Sequence, residues 1–510
     1  MMHLRLPSRP LPLVALALLT APAVAQNLSL DRVGGALGAV TTFPIVGQPN
    51  ELYALVWDVQ EVPTFIPHLG ITLDIPDNNA TFSYQTPTWT GITSASGLAT
   101  PQVTIPNNSK LASYVISLQA VAGNGPFRVS NLLRLTAQAP RTFEPALEQP
   151  PVPVIGGGAV AQPNNELLFV GGSGPVAQLY KSRTEQWELA GSTFGVGLLS
   201  QTTGLADGRV LFTGGLDLTT GQPSSAAAVY DPVTQTTTTL TMVSPRAGHG
   251  ASLLSNGKVL ISGGSSSVDL TNPLSFFTGL LASTELFDPV TNTLAPGPNM
   301  LEQRAFHTST TLTTGRVLIA GGLAVLPIIN LPNVSNTAYL YNPATNTFGL
   351  PALMNGARFL HSAAPLSNGR VLLVGGVNLD LTQFLQTGNI QDLIVNTRTD
   401  CQLFTPVIGG FGTFATVNGM QVGRAGAAVA PLPSGGALIA GGFRMTIDVA
   451  TSTFELASTE TADVFAQSPN SITPTGSMQE ARQFPTTVNL PDGTVMVVGG
   501  GPSVAEIYQR

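Results

Sequence analysis

A short phrase that ends in two glycines returns along the C-terminal two thirds of this chain and constrains its fold more than any other feature. One copy reads NGRVLLVGG and runs from Asn368 to Gly376. Successive copies are about 55 residues apart on average. The seven double glycines are Gly171-Gly172, Gly214-Gly215, Gly263-Gly264, Gly321-Gly322, Gly375-Gly376, Gly441-Gly442 and Gly499-Gly500.

The residues around each double glycine indicate four β-strands per copy. Four or five apolar residues precede the glycines, as in Val259 to Ser262, which is typical of a strand buried on both faces. A pair such as Asn256-Gly257 stands before most copies and suits a tight hairpin turn. An aromatic residue follows the glycines, often with Asp-Pro or Asn-Pro and a further β-prone segment behind it. Seven such units predict a seven-bladed β-propeller, because periods of roughly 40 to 50 residues belong to propeller blades.

Five of the copies share an arginine at one fixed position. It lies eleven residues before the turn glycine, and in three copies a histidine follows three residues later, at His249, His307 and His361. The constant spacing predicts a fixed register for the hairpin. The five arginines are Arg246, Arg304, Arg358, Arg424 and Arg482.

This pattern of arginine, histidine, hairpin, double glycine and aromatic residue with Asp-Pro resembles the kelch family. The resemblance covers residues 141 to 510, and the sequence of the repeat is most similar to that of the central propeller of galactose-oxidase-type secreted proteins. The first copy departs most, since it lacks both the arginine and the Asp-Pro. The resemblance implies an all-β fold with seven kelch blades.

Galactose oxidase and its relatives hold copper with two tyrosines and two histidines, and a cysteine is linked to one tyrosine. This chain has no Tyr-His pair, and the histidines of its propeller region are the three of the repeat. We therefore expect the fold without the activity, no bound copper or other cofactor, and no thioether at Cys401. The three histidines share one repeat position, which favours a packing duty over a metal site.

The first 25 residues have the pattern of a cleavable secretory signal. A basic start is followed by an apolar run from Leu11 to Ala25, which is too short for the roughly 20 residues of a membrane span. We expect a protein that is soluble, monomeric and secreted, either to the periplasm or outside the cell. Its net charge of -7 and the absence of a basic cluster argue against nucleic acid as a partner. With one cysteine, Cys401, no internal disulfide is possible.

Residues 26 to 138 contain no copy of the repeat. Short β-like runs separated by turn signals, such as Leu52 to Val59 and Tyr114 to Ala122, predict a small β-sandwich. Its aromatic residues Trp57, Tyr84 and Trp89 are open to two interpretations, core packing or a platform on which a sugar stacks.

Residues 139 to 153 are rich in proline and would serve as a linker. The segment from Arg141 to Ala146 nevertheless resembles an outer strand, and the chain reaches Arg510 two residues after the last aromatic residue, Tyr508. We therefore expect this segment to complete the last blade of a propeller that spans residues 154 to 510, since an open edge would be unstable.

The loops between the second and third strands vary most in length, and long loops on a rigid scaffold usually carry function. They are apolar in the third, fourth and fifth copies, where Phe276, Phe277, Val325 to Leu331, Phe384 and Leu385 stand. These loops either pack on one another as a cap or present a surface to a partner.

The five arginines should crowd on the same face as these loops. Either each pairs with an acidic residue of the third strand, such as Glu285, Asp463 or Glu506, or the ring binds an anionic ligand. Tyr339 and Gln402 replace the acidic residue in two copies. We expect Arg358 and Arg424 to lack a carboxylate partner and an anionic group to dock beside them.

Three functions remain open from the sequence. The first is a secreted binding or scaffold protein that uses the loop face to bind an extracellular protein or glycan, with anionic ones included. The second is a carbohydrate-acting enzyme of kelch fold, either a sugar oxidase or a mutarotase. The third is a structural component of the cell surface.

Overall fold

We analysed a computed structural model of the chain. It describes residues 28–66, 69–75, 89–108, 111, 114–154, 158–162, 166–170, 176–192, 197–217, 219–268, 277–326, 331–407, 411–448, 453–501 and 504–510. The expected signal peptide, Tyr84, Phe276 and the first double glycine lie outside these residues. The described chain is all-β, as predicted: its helical elements are the single turn Phe384–Thr387 and the 3₁₀ turn Ile390–Asp392. Neither has the length or apolar character that a membrane span requires.

Seven antiparallel sheets, six with four strands and one with five, follow one another along the described part of the repeats. We call them repeat sheets 1 to 7 and number the strands of each from first to fourth in pairing order. Sheets 1 and 2 are Gly158–Ala161, Glu166–Val170, Val176–Lys181, Gln186–Ser192 and Gln201–Gly204, Val210–Thr213, Ala226–Asp231, Thr236–Thr241. Sheets 3 and 4 are Gly250–Leu253, Val259–Ser262, Thr284–Asp288, Thr293–Pro296 and Thr308–Thr311, Val317–Ala320, Thr337–Asn342, Thr347–Phe348, where Ala352–Leu353 also pairs with the third strand. Sheets 5 and 6 are Ser362–Pro365, Val371–Val374, Cys401–Val407, Phe411–Val417 and Ala428–Pro431, Ala437–Ala440, Ala462–Gln467, Asn470–Pro474. Sheet 7 is Thr486–Asn489, Val495–Val498, Glu506–Tyr508 and Phe143–Pro145.

The second strand of each repeat sheet is the apolar run that precedes the double glycine. In sheet 3, Val259–Ser262 is buried at every position, and it pairs with Gly250–Leu253 on one side and Thr284–Asp288 on the other. Apolar side chains project from both of its faces, so neighbouring sheets must cover both. This requirement explains why the sequence shows an unbroken apolar run here and not an alternating pattern.

First strands of successive repeat sheets lie side by side. Gly158–Ala161 of sheet 1 lies beside Gln201–Gly204 of sheet 2 and also beside Thr486–Asn489 of sheet 7. Side chains join such neighbours directly. The hydroxyl groups of Ser252 and Ser309 are 2.6 Å apart, and Thr311 Oγ1 donates to the carbonyl of Leu253 at 2.7 Å.

The fourth strand of sheet 7 comes from the opposite end of the repeat region. Phe143–Pro145 pairs antiparallel with Glu506–Tyr508, with Phe143 opposite Tyr508. The rings of Phe143 and Tyr508 pack with centroids 4.9 Å apart, and both side chains are buried. The segment before the repeats therefore covers an edge that Glu506–Tyr508 would otherwise leave open.

The described residues between 28 and 138 form four small antiparallel sheets around separate apolar clusters. Trp57 and Trp89 are partly buried against the larger cluster, with ring centroids 6.2 Å apart, so both contribute to core packing. In pairing order, the first sheet contains Ser29–Leu30, Ile45–Val46 and Leu98–Ala99. The second contains Arg128–Val129, Val115–Ala122, Leu52–Asp58 and Thr90–Ile92, and Leu133–Thr136 also pairs with Val115–Ala122. The third pairs Val40–Thr42 with Gln102–Thr104, and the fourth pairs Thr64–Ile66 with Ile71–Leu73.

Further strands rise from the loops between the second and third strands of sheets 4, 5 and 6. We call them hairpin 4 (Leu323–Leu326 and Leu331–Val334, with Arg304–Ala305 alongside), hairpin 5 (Val377–Asp380 and Ile394–Thr397) and hairpin 6 (Phe443–Asp448 and Thr453–Ser458). The edge of the repeat sheets from which they rise is the loop face. Hairpin 5 lies between the other two, and Thr397 Oγ1 donates to the carbonyl of Met445 and accepts from its N–H.

Candidate functional site

The five predicted arginines are buried at the loop face, and each makes the same hydrogen bond within its own repeat sheet. Nη1 donates to the carbonyl of the first glycine of the pair, seventeen residues later in the chain. All five side chains have 0% exposure. The donor–acceptor pairs are Arg246–Gly263, Arg304–Gly321, Arg358–Gly375, Arg424–Gly441 and Arg482–Gly499, at 2.7 to 3.0 Å.

The backbone of the same arginine joins the preceding repeat sheet. The carbonyl of Arg424 accepts a hydrogen bond of 2.9 Å from the N–H of Gly376, the second glycine of sheet 5. A Cβ on the first glycine, Gly375, would lie 2.0 Å from that carbonyl oxygen, and Gly375 also has a φ of 56°. The close approach and the left-handed backbone explain why the first residue of the pair is glycine.

Every arginine of the set also has a carboxylate partner. Arg246, Arg424 and Arg482 pair with third-strand residues, as one of the two interpretations predicts. The prediction that Arg358 and Arg424 lack a carboxylate is wrong. The pairs are Arg246–Glu285, Arg304–Glu302, Arg358–Asp400, Arg424–Asp463 and Arg482–Glu506, at 2.7 to 2.9 Å.

Two partners were missed because they occupy positions that the repeat does not share. Glu302 lies two residues before Arg304 and not on the third strand, while Tyr339 donates its hydroxyl proton to Glu302 and places its ring 4.8 Å from the Arg304 guanidinium. Burial, together with the bond to Glu302, raises the pKa of Tyr339 to about 12. Asp400 stands two residues before Gln402 and also accepts from Arg398. An anion would have to compete with a carboxylate at each of the five guanidinium groups, and in the pairs with Glu285, Asp463 and Glu506 that carboxylate is buried.

The three repeat histidines each reach into the preceding sheet. Nε2 of His249, His307 and His361 lies 2.8 to 3.0 Å from a hydroxyl of Thr213, Ser262 and Thr308, respectively. Burial lowers the pKa of His249 to about 3 and lowers the pKa of His307 and His361 well below the usual value. Within the described residues, no group of three or more His, Cys, Asp or Glu side chains is placed to hold a metal ion.

Cys401 begins the third strand of sheet 5 and is fully buried. Burial raises the pKa of its thiol to about 12. The thiolate, which is the reactive form, is therefore suppressed at neutral pH.

A chain of backbone hydrogen bonds crosses the loop face from sheet to sheet, and sequence reasoning missed it. The residue two after the arginine position has a positive φ in each case and donates its N–H to the equivalent residue of the sheet before. The residues at this position are not all of one type, so no sequence motif marks it. Each residue after the first donates its N–H to the carbonyl of the residue before it in the series Leu199, Gly248, Phe306, Leu360, Gly426 and Phe484.

Hairpins 4, 5 and 6 pack on one another over an apolar cluster. Leu323, Val377 and Phe443 of the three hairpins are buried in this cluster with Phe359 from the start of sheet 5. The ring of Phe443 also packs on Phe484, at 4.9 Å between centroids. The described parts of these loops thus form a cap, which was one of the two predicted arrangements.

The outer side of the cap keeps large apolar side chains in solvent. Leu331 of hairpin 4, Leu385 and Ile394 of the hairpin 5 loop, and Leu456 of hairpin 6 are 38%, 42%, 59% and 42% exposed. Phe484, whose ring packs on Phe443 of hairpin 6, is 37% exposed. We call these five residues the apolar rim.

Comparison with protein families and with curated proteins gives no match for this chain. Among solved structures, the chain is similar to a fungal alcohol oxidase of the AA5 family, described as having catalytic diversity and solved in complex with copper. The two share 16% sequence identity over 62% of this chain and 74% of the oxidase, with a TM-score of 0.38.

Proposed function

We propose that the seven repeat sheets are the blades of a seven-bladed kelch β-propeller. The side-by-side first strands, with sheet 1 next to both sheet 2 and sheet 7, support this arrangement. The closing role of Phe143–Pro145 in sheet 7 supports it as well. The buried arginines then act as struts, because each one holds its own blade through the guanidinium and the preceding blade through its carbonyl.

The protein functions in this proposal as a secreted binding or scaffold module whose loop face contacts an extracellular protein or glycan. The apolar rim carries the proposal. Large apolar side chains that share one face of a rigid cap are typical of an interaction surface. The buried cluster beneath the rim holds the three hairpins in one arrangement, so little conformational freedom is lost on binding.

The rim favours a protein partner over an anionic glycan. Leu331, Leu385, Ile394 and Leu456 offer aliphatic contact area, and the arginines that could attract an anion are engaged below the surface. We also propose that the protein is a monomer in solution, and light scattering tests this directly.

Chemical cross-linking in the extracellular fraction of the source organism, together with a glycan panel, tests the rim. The wild type is compared with a Leu385→Asp and Ile394→Asp double variant. Val233→Asp with Val290→Asp is the matched control, since these two valines are 89% and 90% exposed in turns of sheets 2 and 3. We expect one partner to bind the wild type and the control but not the rim variant. Equal binding by all three proteins would contradict the proposal.

A further inference from the structure

The N-terminal region meets the repeats along a polar seam. Arg32 donates to Glu185 of sheet 1 at 2.9 Å and to Asp492 of sheet 7 at 3.0 Å. Arg183 of sheet 1 pairs with Asp31, and the N–H of Gly34 donates to the carbonyl of Asp492. These contacts fix residues 28 to 138 against both ends of the repeat series.

Two of the cavities along this seam have one lining residue in common. The larger has a volume of about 470 Å³ and is lined by Val59, Glu61, Val115, Ser117, Arg134, Leu147 and Glu148. The smaller has a volume of about 90 Å³, and Arg32, Gln138, Glu185 and Gln509 are among its lining residues. Leu147 lines both. We call the two together the seam cleft; clefts between domains are frequent ligand sites.

The donors of the seam cleft are already engaged. Arg134 uses Nε and Nη2 on Glu61, each at 2.7 Å, and Nη1 on the carbonyl of Thr184 at 2.8 Å. Arg32 uses Nη1 on the carbonyl of Arg134 in addition to its two carboxylates. A ligand therefore finds no guanidinium group free to donate to it.

Two acceptor groups, by contrast, are left without a donor or an ion-pair partner among the described residues. Gln138 is 4% exposed, and its Oε1 accepts no hydrogen bond from any described residue. The Glu148 carboxylate forms no ion pair within the described chain, although it is near enough to Arg134 to contribute to raising the pKa of that guanidinium. Four carboxylates (Glu61, Glu148, Glu185, Asp492) surround two guanidinium groups (Arg32, Arg134), an excess of two negative charges.

We propose that the seam cleft binds an alkylammonium chain, either the side chain of a lysine or a free linear diamine. The ammonium group supplies the donors and the positive charge that the open acceptors lack. Val59, Val115 and Leu147 give an apolar wall for the methylene stem, as lysine stems commonly require. The site is separate from the apolar rim and does not depend on it.

Isothermal titration calorimetry on the full chain tests this site with cadaverine, with Nα-acetyl-lysine methylamide, and with pentanediol as the uncharged control. We expect millimolar binding of cadaverine, and none of pentanediol. Binding of the lysine derivative as well assigns the site to protein side chains, and binding of cadaverine alone assigns it to free amines.

Glu148→Gln should weaken cadaverine binding by about tenfold or more, because one charge-assisted hydrogen bond is lost. The matched control is Glu455→Gln, an exposed carboxylate of hairpin 6 that does not line the cleft. If Glu148→Gln does not fold, Leu147→Trp replaces it: it keeps every carboxylate, places a larger side chain at the residue that lines both cavities, and should abolish binding. The proposal is overturned if neither amine binds the wild type, if pentanediol binds as well as cadaverine, or if the folded cleft variant binds like the wild type.

Discussion

The guanidinium of Arg482 lies 2.9 Å from the carboxylate of Glu506, and neither side chain has any exposed surface. The corresponding pair Arg304–Glu302 is formed at 2.8 Å, but the Glu302 side chain is 18% exposed. One repeat position therefore contains ion pairs that differ in their access to water. This difference determines what the loss of each arginine should cost.

Arg482→Ala should lower the free energy of unfolding by about 3 to 5 kcal/mol, because it leaves the Glu506 charge buried without compensation. Arg304→Ala should cost less, since Glu302 can be hydrated and keeps its bond from Tyr339. Arg444→Ala is the control, because Arg444 is exposed; it should change stability by less than about 0.5 kcal/mol. Urea unfolding of the three variants gives the values.

A double variant separates charge burial from packing. Arg482→Met with Glu506→Leu should recover much of the stability lost in Arg482→Ala, since no buried charge remains. If Arg482→Ala proves as stable as the wild type, the arginines are not struts.

The double glycines provide a second prediction. Gly375 and Gly257 both have positive φ, 56° and 80°, but a Cβ would meet the Arg424 carbonyl at 2.0 Å in the first and nothing within 4 Å in the second. Gly257→Ala should cost about 1 to 2 kcal/mol for its left-handed backbone alone. Gly375→Ala should cost at least about 1 to 3 kcal/mol more, because the neighbouring sheet must shift. Equal midpoints in thermal unfolding would show that the close approach carries no energetic weight.

The repeat itself determined how much of the fold could be predicted. The apolar second strands and double glycines recur in seven copies and the arginine register in five, so the copies reinforce one interpretation. The Glu302 and Asp400 partners could not be found in this way, because they meet their arginines from positions peculiar to single repeats. The hydrogen-bonded series across the loop face was missed for a related reason: its members Gly248, Phe306 and Leu360 share a backbone conformation but no side chain.

The buried histidines predict acid sensitivity. The folded pKa of His249, about 3, lies below the value of about 6.5 expected in the unfolded chain, so the unfolded chain binds protons first as the pH falls. Stability is therefore complete above about pH 6.5 and is lost below it, by about 1.4 kcal/mol per pH unit for each of the three histidines.

Urea unfolding between about pH 6.5 and pH 5 measures this slope before the ordinary carboxylates titrate. His249→Asn should reduce the slope by about one third while costing some stability at neutral pH through the changed contact to Thr213. An unchanged slope in this variant would mean that His249 is accessible to protons in the folded protein.

The last prediction concerns the N-terminal strand of sheet 7. Phe143–Pro145 completes sheet 7, and Phe143 is buried against Tyr508. In the full chain, Phe143→Ala should cost about 3 to 5 kcal/mol, because a large buried ring is replaced by a cavity.

Two shortened chains isolate the strand from the N-terminal domain: one begins at Ala139 and keeps the strand, and the other begins at Pro150 and lacks it. Both lose the seam contacts of Arg32, so the difference between them reports on residues 139 to 149, which contain the strand and the contacts of Gln149 to Ala505 and of Glu148 to Trp187. We expect the chain from Pro150 to unfold at lower temperature and with a broader transition, since the edge of Glu506–Tyr508 is then exposed. Coincident melting curves for the two chains would show that the stability of the repeat sheets does not depend on this strand.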